Sequence, residues 1–389
     1  MSEAAVLRRT SSTYGLYLTL GCLGYMLTAL GAILPELREE RGLPRAEVAL
    51  YPSAFALGLV VVGLVGHRLA GRLGGLALPA ALVALVGGAA IIAVTGGRLG
   101  TASGALVLGL GGAGLVQLIP AALRTLHGGD GTVPIGEANA VSSTASILSP
   151  VLIGAALAQG LGWRFAFAVP PLALAAVLLL TRRAVAPVAR EDAVPAAGER
   201  TPRTFVSRWS DLVLAVGVEF CMVFWAADFL RSVKDLGSGS ATTFSAAFLV
   251  GMAVARAVSG PVLRAVGGAD RLLAAAAAVG VAGFAVLWTA PAPFAVAGLL
   301  VVGLGVALLY PVILAQALAA WPSQPVRAAA RCALASGVAI GVAPLVLGTL
   351  ADLTTLRAAV FVVPALLLAL LVRCGWRLRT EGQATLPRT

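Results

Sequence analysis

Charge is what this sequence has least of. Only 12% of its 389 residues are Asp, Glu, Lys or Arg, against about a quarter in a soluble domain. That shortage, with 59% hydrophobic residues, excludes an ordinary water-soluble fold. Lysine is nearly absent, Lys234 being the single one. Together with the alanine, glycine and valine content, this points to a GC-rich bacterial genome. Cys22, Cys221, Cys332 and Cys374 form no CxxC pair and have no clustered histidine, so they read as small hydrophobes. His67 and His127, the only histidines, fall in separate connections and read as solvated. Neither a Walker motif nor a nucleophile elbow occurs, so ATP-driven pumping and enzymatic activity are not expected, and no cofactor is implied. GLGGAG at 109–114 lies inside an apolar run without a βαβ pattern and is not a dinucleotide loop.

What is present is apolar length. Runs near the 20 residues needed to cross roughly 30 Å of hydrocarbon occur at 13–35, 46–66, 77–95, 101–123, 139–160, 165–181, 210–231, 242–263, 272–290, 294–319, 332–351 and 358–373. These predict an all-α integral membrane protein of twelve transmembrane helices. The first run is full length and reads as a spanning helix rather than a cleaved leader. Placing both termini inside puts 19 basic residues in inner segments and 8 in outer loops, with Arg256 left in the membrane. The positive-inside rule then predicts cytoplasmic termini in a bacterial inner (plasma) membrane. The net charge of +11 reflects this bias and lipid headgroups, not nucleic acid.

One long polar stretch, 182–209, is rich in Arg, Pro and Ala and reads as a cytoplasmic linker between an N-terminal bundle, 1–181, and a C-terminal bundle with a short tail, 210–389. The halves repeat. With a shift of 193 residues AFALG (54–58) falls on AFLVG (247–251), and Leu73–Gly75 on Val266–Gly268. With one more residue of shift GLG (109–111) falls on GLG (303–305), Pro150 on Pro344 and Gly154 on Gly348. Two parallel six-helix repeats imply pseudo-symmetric bundles with a site near the membrane midplane.

Glu219 and Arg256 interrupt the seventh and eighth runs, where an ionisable side chain is costly and needs a partner. Counted from Ser210 and Arg264, they lie at about 13 and 12 Å depth and are expected to pair. Desolvation raises a carboxyl pKa and a guanidinium lowers it, so the balance follows conformation. Glu219 is thus the candidate proton carrier and Arg256 its counter-charge; a permanent structural ion pair is the plainer reading. Asp228, in the same run, is a further coupling candidate. It stands on the opposite side of the same helix, nearer the outer surface, where an outer gate or a solvated acid is expected. Glu36 is expected to be solvated.

The layout resembles the major facilitator superfamily. GHRLAGRLGG (66–75) is similar to that family's signature loop, with Gly71 where an Asp is usual and with Arg72 and Gly74 kept; GPVLRAVGG (260–268) is its second copy, with Arg264. GWRFAF (162–167) resembles the family's entry to the sixth helix, and ASILSPVLIG (145–154) a degenerate Gly-Pro motif of drug/proton antiporters around Pro150. The resemblance implies gating roles for Arg72, Gly74, Pro150 and Arg264. It also implies a cavity lined by helices one, four, seven and ten. Tyr25, Gln117, Trp225, Tyr310 and Gln316 are then candidate substrate contacts, against the plainer reading of interhelical hydrogen bonds. The expected function is alternating-access secondary transport by a monomer, with a small-molecule substrate, protons and membrane lipids as partners. Export of amphipathic molecules by proton antiport leads; proton-coupled uptake of a sugar or organic acid, or a receptor without flux, stands beside it.

Overall fold

The structure is a computed structural model that describes residues 9–128, 131–183 and 200–384. Among them are twelve helices long and apolar enough to cross a membrane, and no strand. They are α1 (Ser11–Arg41), α2 (Leu50–Leu73), α3 (Ala77–Val94), α4 (Arg98–Leu126), α5 (Thr132–Ala158), α6 (Trp163–Leu180), α7 (Arg203–Ser232), α8 (Ser238–Ala257), α9 (Ala269–Thr289), α10, in two pieces (Ala292–Val306 and Leu309–Ala319), α11 (Pro325–Leu353) and α12 (Val362–Ala384). Twelve crossings return the chain to the face on which it started. The face carrying the α2–α3 and α6–α7 connections is called proximal below, and the other distal.

Three boundaries differ from the apolar runs. α1 continues through Pro35 to Arg41, putting Glu36, Arg38 and Glu39 on a helix rather than in a loop. α7 begins at Arg203, so the linker is shorter than 182–209, and residues 184–199 lie outside those described. α8 stops at Ala257, four residues before Pro261, which has no N–H for the Ala257 carbonyl; a separate turn at Val258 leads to a short helix, Ser259–Val266.

The chain clusters into two compact units. The first holds residues 1–29, 54–149 and 162–193. Its helices meet at small residues, as helices in lipid do when no hydrophobic force drives them together. Gly24 leaves room only for the Ser142 carbonyl, and beside it the Thr28 hydroxyl donates to the Ser146 carbonyl at 2.8 Å. That carbonyl is free because Pro150, four residues on, has no N–H to offer. At the proximal end Glu137 accepts from Arg9 at 2.5 Å and from the Tyr17 hydroxyl at 2.6 Å; this bond holds the Arg9 guanidinium above its usual range.

The second unit holds 30–53, 150–161 and 194–389, so the distal ends of α1 and α5 and the start of α2 belong to it. At its proximal end fully buried Asp211 meets Arg373 at 2.5 Å and Arg377 at 2.7 Å. Arg208 and Arg377 reach Asp270 at 2.7 and 3.2 Å. These pairs tie α7, α9 and α12.

The repeat is visible as duplicated backbone contacts, each within one unit. A Cβ on Gly109 would strike the Phe55 carbonyl, and one on Gly303 the Phe248 carbonyl. Gly111 sits against Ala81 and Leu85, Gly305 against Ala276 and Gly280. Gly74 and Gly267 both adopt left-handed backbone, φ 53° and 67°, where their loops turn. Gly109→Ala and Gly303→Ala are therefore expected to lower stability alike, by about 1–3 kcal/mol each, in thermal unfolding of the purified protein. Gly63→Ala, with open space around it, is the control; a Gly109→Ala protein as stable as the control would refute the shared contact.

Candidate functional site

A polar site lies inside the second unit where α7, α8 and α10 meet. Arg256 Nη2 stands 3.8 Å from Glu219 Oε1, with 41% and 19% of the two side chains exposed. Arg256 is in the last turn of α8 rather than eight residues into a longer helix, because that helix ends at Ala257. A cation suits a helix C-terminus, where the carbonyls are unpaired.

α10 supplies the third element. Its two pieces separate at Ala307–Leu308. Pro311 has no N–H to donate to the carbonyl of Ala307, four residues earlier. Arg256 Nε donates to that carbonyl at 3.4 Å. Tyr310, beside the break, lies within the electrostatic reach of Glu219, Arg256 and Ser336. The Arg256 guanidinium thus divides itself between a carboxylate and a carbonyl, at long distances from both.

The other candidates separate into used and unused groups. The Tyr25 hydroxyl donates to the Ala166 carbonyl at 2.5 Å, and Trp225 Nε1 to the Pro344 carbonyl at 3.0 Å. Both side chains are buried, so their polar atoms are spent on helix packing. Gln117 is exposed on α4, its amide beside Gly66. Gln316 is half-buried, and its Oε1 has no hydrogen-bond partner among the described residues. Arg72 is exposed at the end of α2, followed by Gly74; Pro150 is buried within α5. Arg264 is on the short helix after α8, and its side chain lies outside the described residues, as does that of His67. His127 is not simply solvated: its Nε2 is 3.2 Å from the Thr13 hydroxyl.

Asp228 belongs to a second site at the distal end of the same unit. It is 1% exposed. Arg45 Nε donates to it at 2.8 Å, Arg38 Nη2 at 3.4 Å and the Ser232 hydroxyl at 2.6 Å. Glu36, expected in solvent, pairs with Arg231 at 2.5 Å, and Arg231 also holds Glu39 at 2.5 Å. Asp352 accepts from the backbone N–H groups of Arg45 and Ala46 at 2.9 and 2.7 Å, capping the turn that carries Arg45. Sequence reading missed Arg38 and Arg45 as partners, because they read as loop arginines. It also missed the α10 break, for which Pro311 was the available signal.

Twelve membrane-length helices among the described residues, with duplicated glycine contacts, define an all-α membrane protein built on a repeat. The chain belongs to the Major Facilitator Superfamily, whose family model matches residues 16–330. Similar solved structures include a bacterial homologue of the human lysosomal transporter Spinster, inward-facing and occupied, at 13% identity over 97% of this chain and 98% of that one, TM-score 0.76. The peptide transporter POT in complex with sulfate is similar at 16% identity over 98% and 97%, TM-score 0.75. At these identities the likeness is one of fold. No curated protein matches the sequence.

Proposed function

We propose that this protein is a proton-coupled antiporter that exports amphipathic small organic molecules across a bacterial plasma membrane. It would act as a monomer with both termini in the cytoplasm, the two repeats moving as bundles 1–181 and 210–389. Glu219 carries the proton, and Arg256 is the charge it exchanges against. The observation that carries this reading is the loose 3.8 Å pair between them, sharing its guanidinium with the Ala307 carbonyl. A sealed structural pair would be shorter and would leave neither group free. Here Arg256 can shift towards the α10 break when Glu219 takes a proton. Gln117, Tyr310 and Gln316 retain polar atoms for a substrate, whereas Tyr25 and Trp225 shape their surroundings. Asp228, with its oxygens engaged by two guanidinia and a hydroxyl, is assigned to gating rather than to proton transfer.

One observation favours a second reading. Arg256 is well exposed and only weakly paired, so it could hold the carboxylate of an organic acid taken up with a proton.

Proteoliposomes with an imposed pH gradient distinguish them. Export predicts that an interior-acid gradient drives accumulation of an amphipathic dye, dissipating the gradient as it does so. Uptake predicts that an organic acid, and no amphipath, moves with the proton. No solute-dependent proton flux in either arrangement would defeat both readings.

A further inference from the structure

The distal end of the second unit holds a cavity of about 460 Å³ beside the Asp228 pairs. Its polar lining is Arg45, Arg357, Ser232, Thr354 and Thr355, and no acid is among the lining residues. Arg357 is exposed; its guanidinium stacks on the Trp288 ring, 4.7 Å from the centroid, and no carboxylate pairs with it among the described residues. Lys234 is close enough to feel this charge: burial first, and then Arg357, hold its ammonium below the usual lysine range. Lys234 spends its donors on the Trp288 and Ala290 carbonyls, at 3.0 and 2.6 Å. Two guanidinia and the Thr355 hydroxyl therefore line a concavity with no acid among its lining residues. The nearby carboxylates are occupied, Asp228 by Arg38, Arg45 and Ser232 and Asp352 by backbone N–H groups.

We propose that this cavity is an oxyanion-binding site, taking a phosphate or phosphate-ester group between Arg45 and Arg357. Guanidinium forks match phosphate oxygens in pairs, and the Thr355 hydroxyl, which accepts from the Ala358 N–H and keeps its own proton, adds a donor. Arg45 is shared: its Nε serves Asp228, and its Nη2 reaches the Ser232 hydroxyl at 3.2 Å. A bound anion and Asp228 compete for one guanidinium, so occupancy of the site loosens the pairs around Asp228. By linkage, loosening those pairs strengthens anion binding by the same factor. The source of the phosphate is either a free solute or the headgroup of an anionic lipid.

The test is a binding measurement and needs no flux, so it stands or falls separately from the transport reading. Inorganic pyrophosphate is titrated into the purified full chain in neutral detergent, with chloride matched for ionic strength, while thermal stability is followed. A ligand of the native state raises stability by RT ln(1 + [L]/Kd), so the rise sets in near Kd and then grows with the logarithm of concentration. The expected result is a rise of that form in wild type, with an onset at least about tenfold higher in concentration in Arg357→Gln and the same loss in Arg45→Gln. An equal effect of chloride, no rise with pyrophosphate, or unchanged binding in both arginine variants overturns the proposal. Repeating the titration in nanodiscs identifies the source. Weaker pyrophosphate binding in phosphatidylglycerol than in phosphatidylcholine discs assigns the site to a headgroup, and equal binding assigns it to a free phosphate.

Discussion

Glu219→Gln is expected to abolish movement of solute driven by a pH gradient, by at least about tenfold, or ~1.4 kcal/mol on the driven step. Solute exchange at equal pH should survive. The amide keeps the shape of the carboxyl and removes its proton exchange, so the substitution separates coupling from binding. Gln also leaves Arg256 without a carboxylate. Arg256 nevertheless retains the Ala307 carbonyl and substantial exposure, so the protein should remain folded. Wild type and variant are compared in proteoliposomes, following both proton flux and labelled solute. Gradient-driven accumulation that persists in Glu219→Gln would reduce the pair to a structural contact.

The second large effect is expected at the distal end. Asp228→Asn leaves Arg38 and Arg45 facing each other around a neutral side chain. Removing one partner of a buried ion pair costs about 3–5 kcal/mol. The two arginine side chains are 21% and 18% exposed, and water screens part of that cost, leaving ~2–3 kcal/mol. Because these pairs join the distal end of α1 and the turn at Arg45 to α7, the loss falls on the arrangement with that end closed. A shift of this size is roughly a 30- to 150-fold change in population. Ala49, fully buried next to the Arg45 turn, reports it: a cysteine placed there should react with a maleimide far faster in Asp228→Asn than in the Asp228 background. Arg45→Gln added to Asp228→Asn should restore part of the slow labelling, since it removes one of the stranded charges. Equal labelling rates with and without Asp228 would show that it does not hold this end shut.

Much of the fold was legible because a bilayer imposes a one-dimensional rule: each crossing needs about 20 apolar residues whatever its neighbours are. The repeat was legible for a related reason. Gly109 and Gly303 stand where one helix touches the backbone of another, and only glycine allows that contact. Glu219 and Arg256 stood out because apolar sequence surrounds them. Helix ends were less visible. The stop after Ala257 has its mark in Pro261, which offers no N–H to the Ala257 carbonyl, whereas α1 runs on through Pro35 because charged side chains at its distal end find partners there.

The partners themselves were not legible. Asp228 meets Arg38 and Arg45 across 190 and 183 residues of sequence, and Tyr25 and Trp225 spend their polar atoms on Ala166 and Pro344 far along the chain. By itself the sequence determined the twelve crossings, the repeat and the presence of charge within the membrane, since hydrocarbon thickness and the cost of an isolated charge act residue by residue. Only the tertiary structure decided which guanidinium each carboxylate meets, which candidate side chains keep unused polar atoms, and that Arg45 both meets Asp228 and lines a basic cavity. Those depend on distances between segments remote in the chain, set by the packing of whole helices.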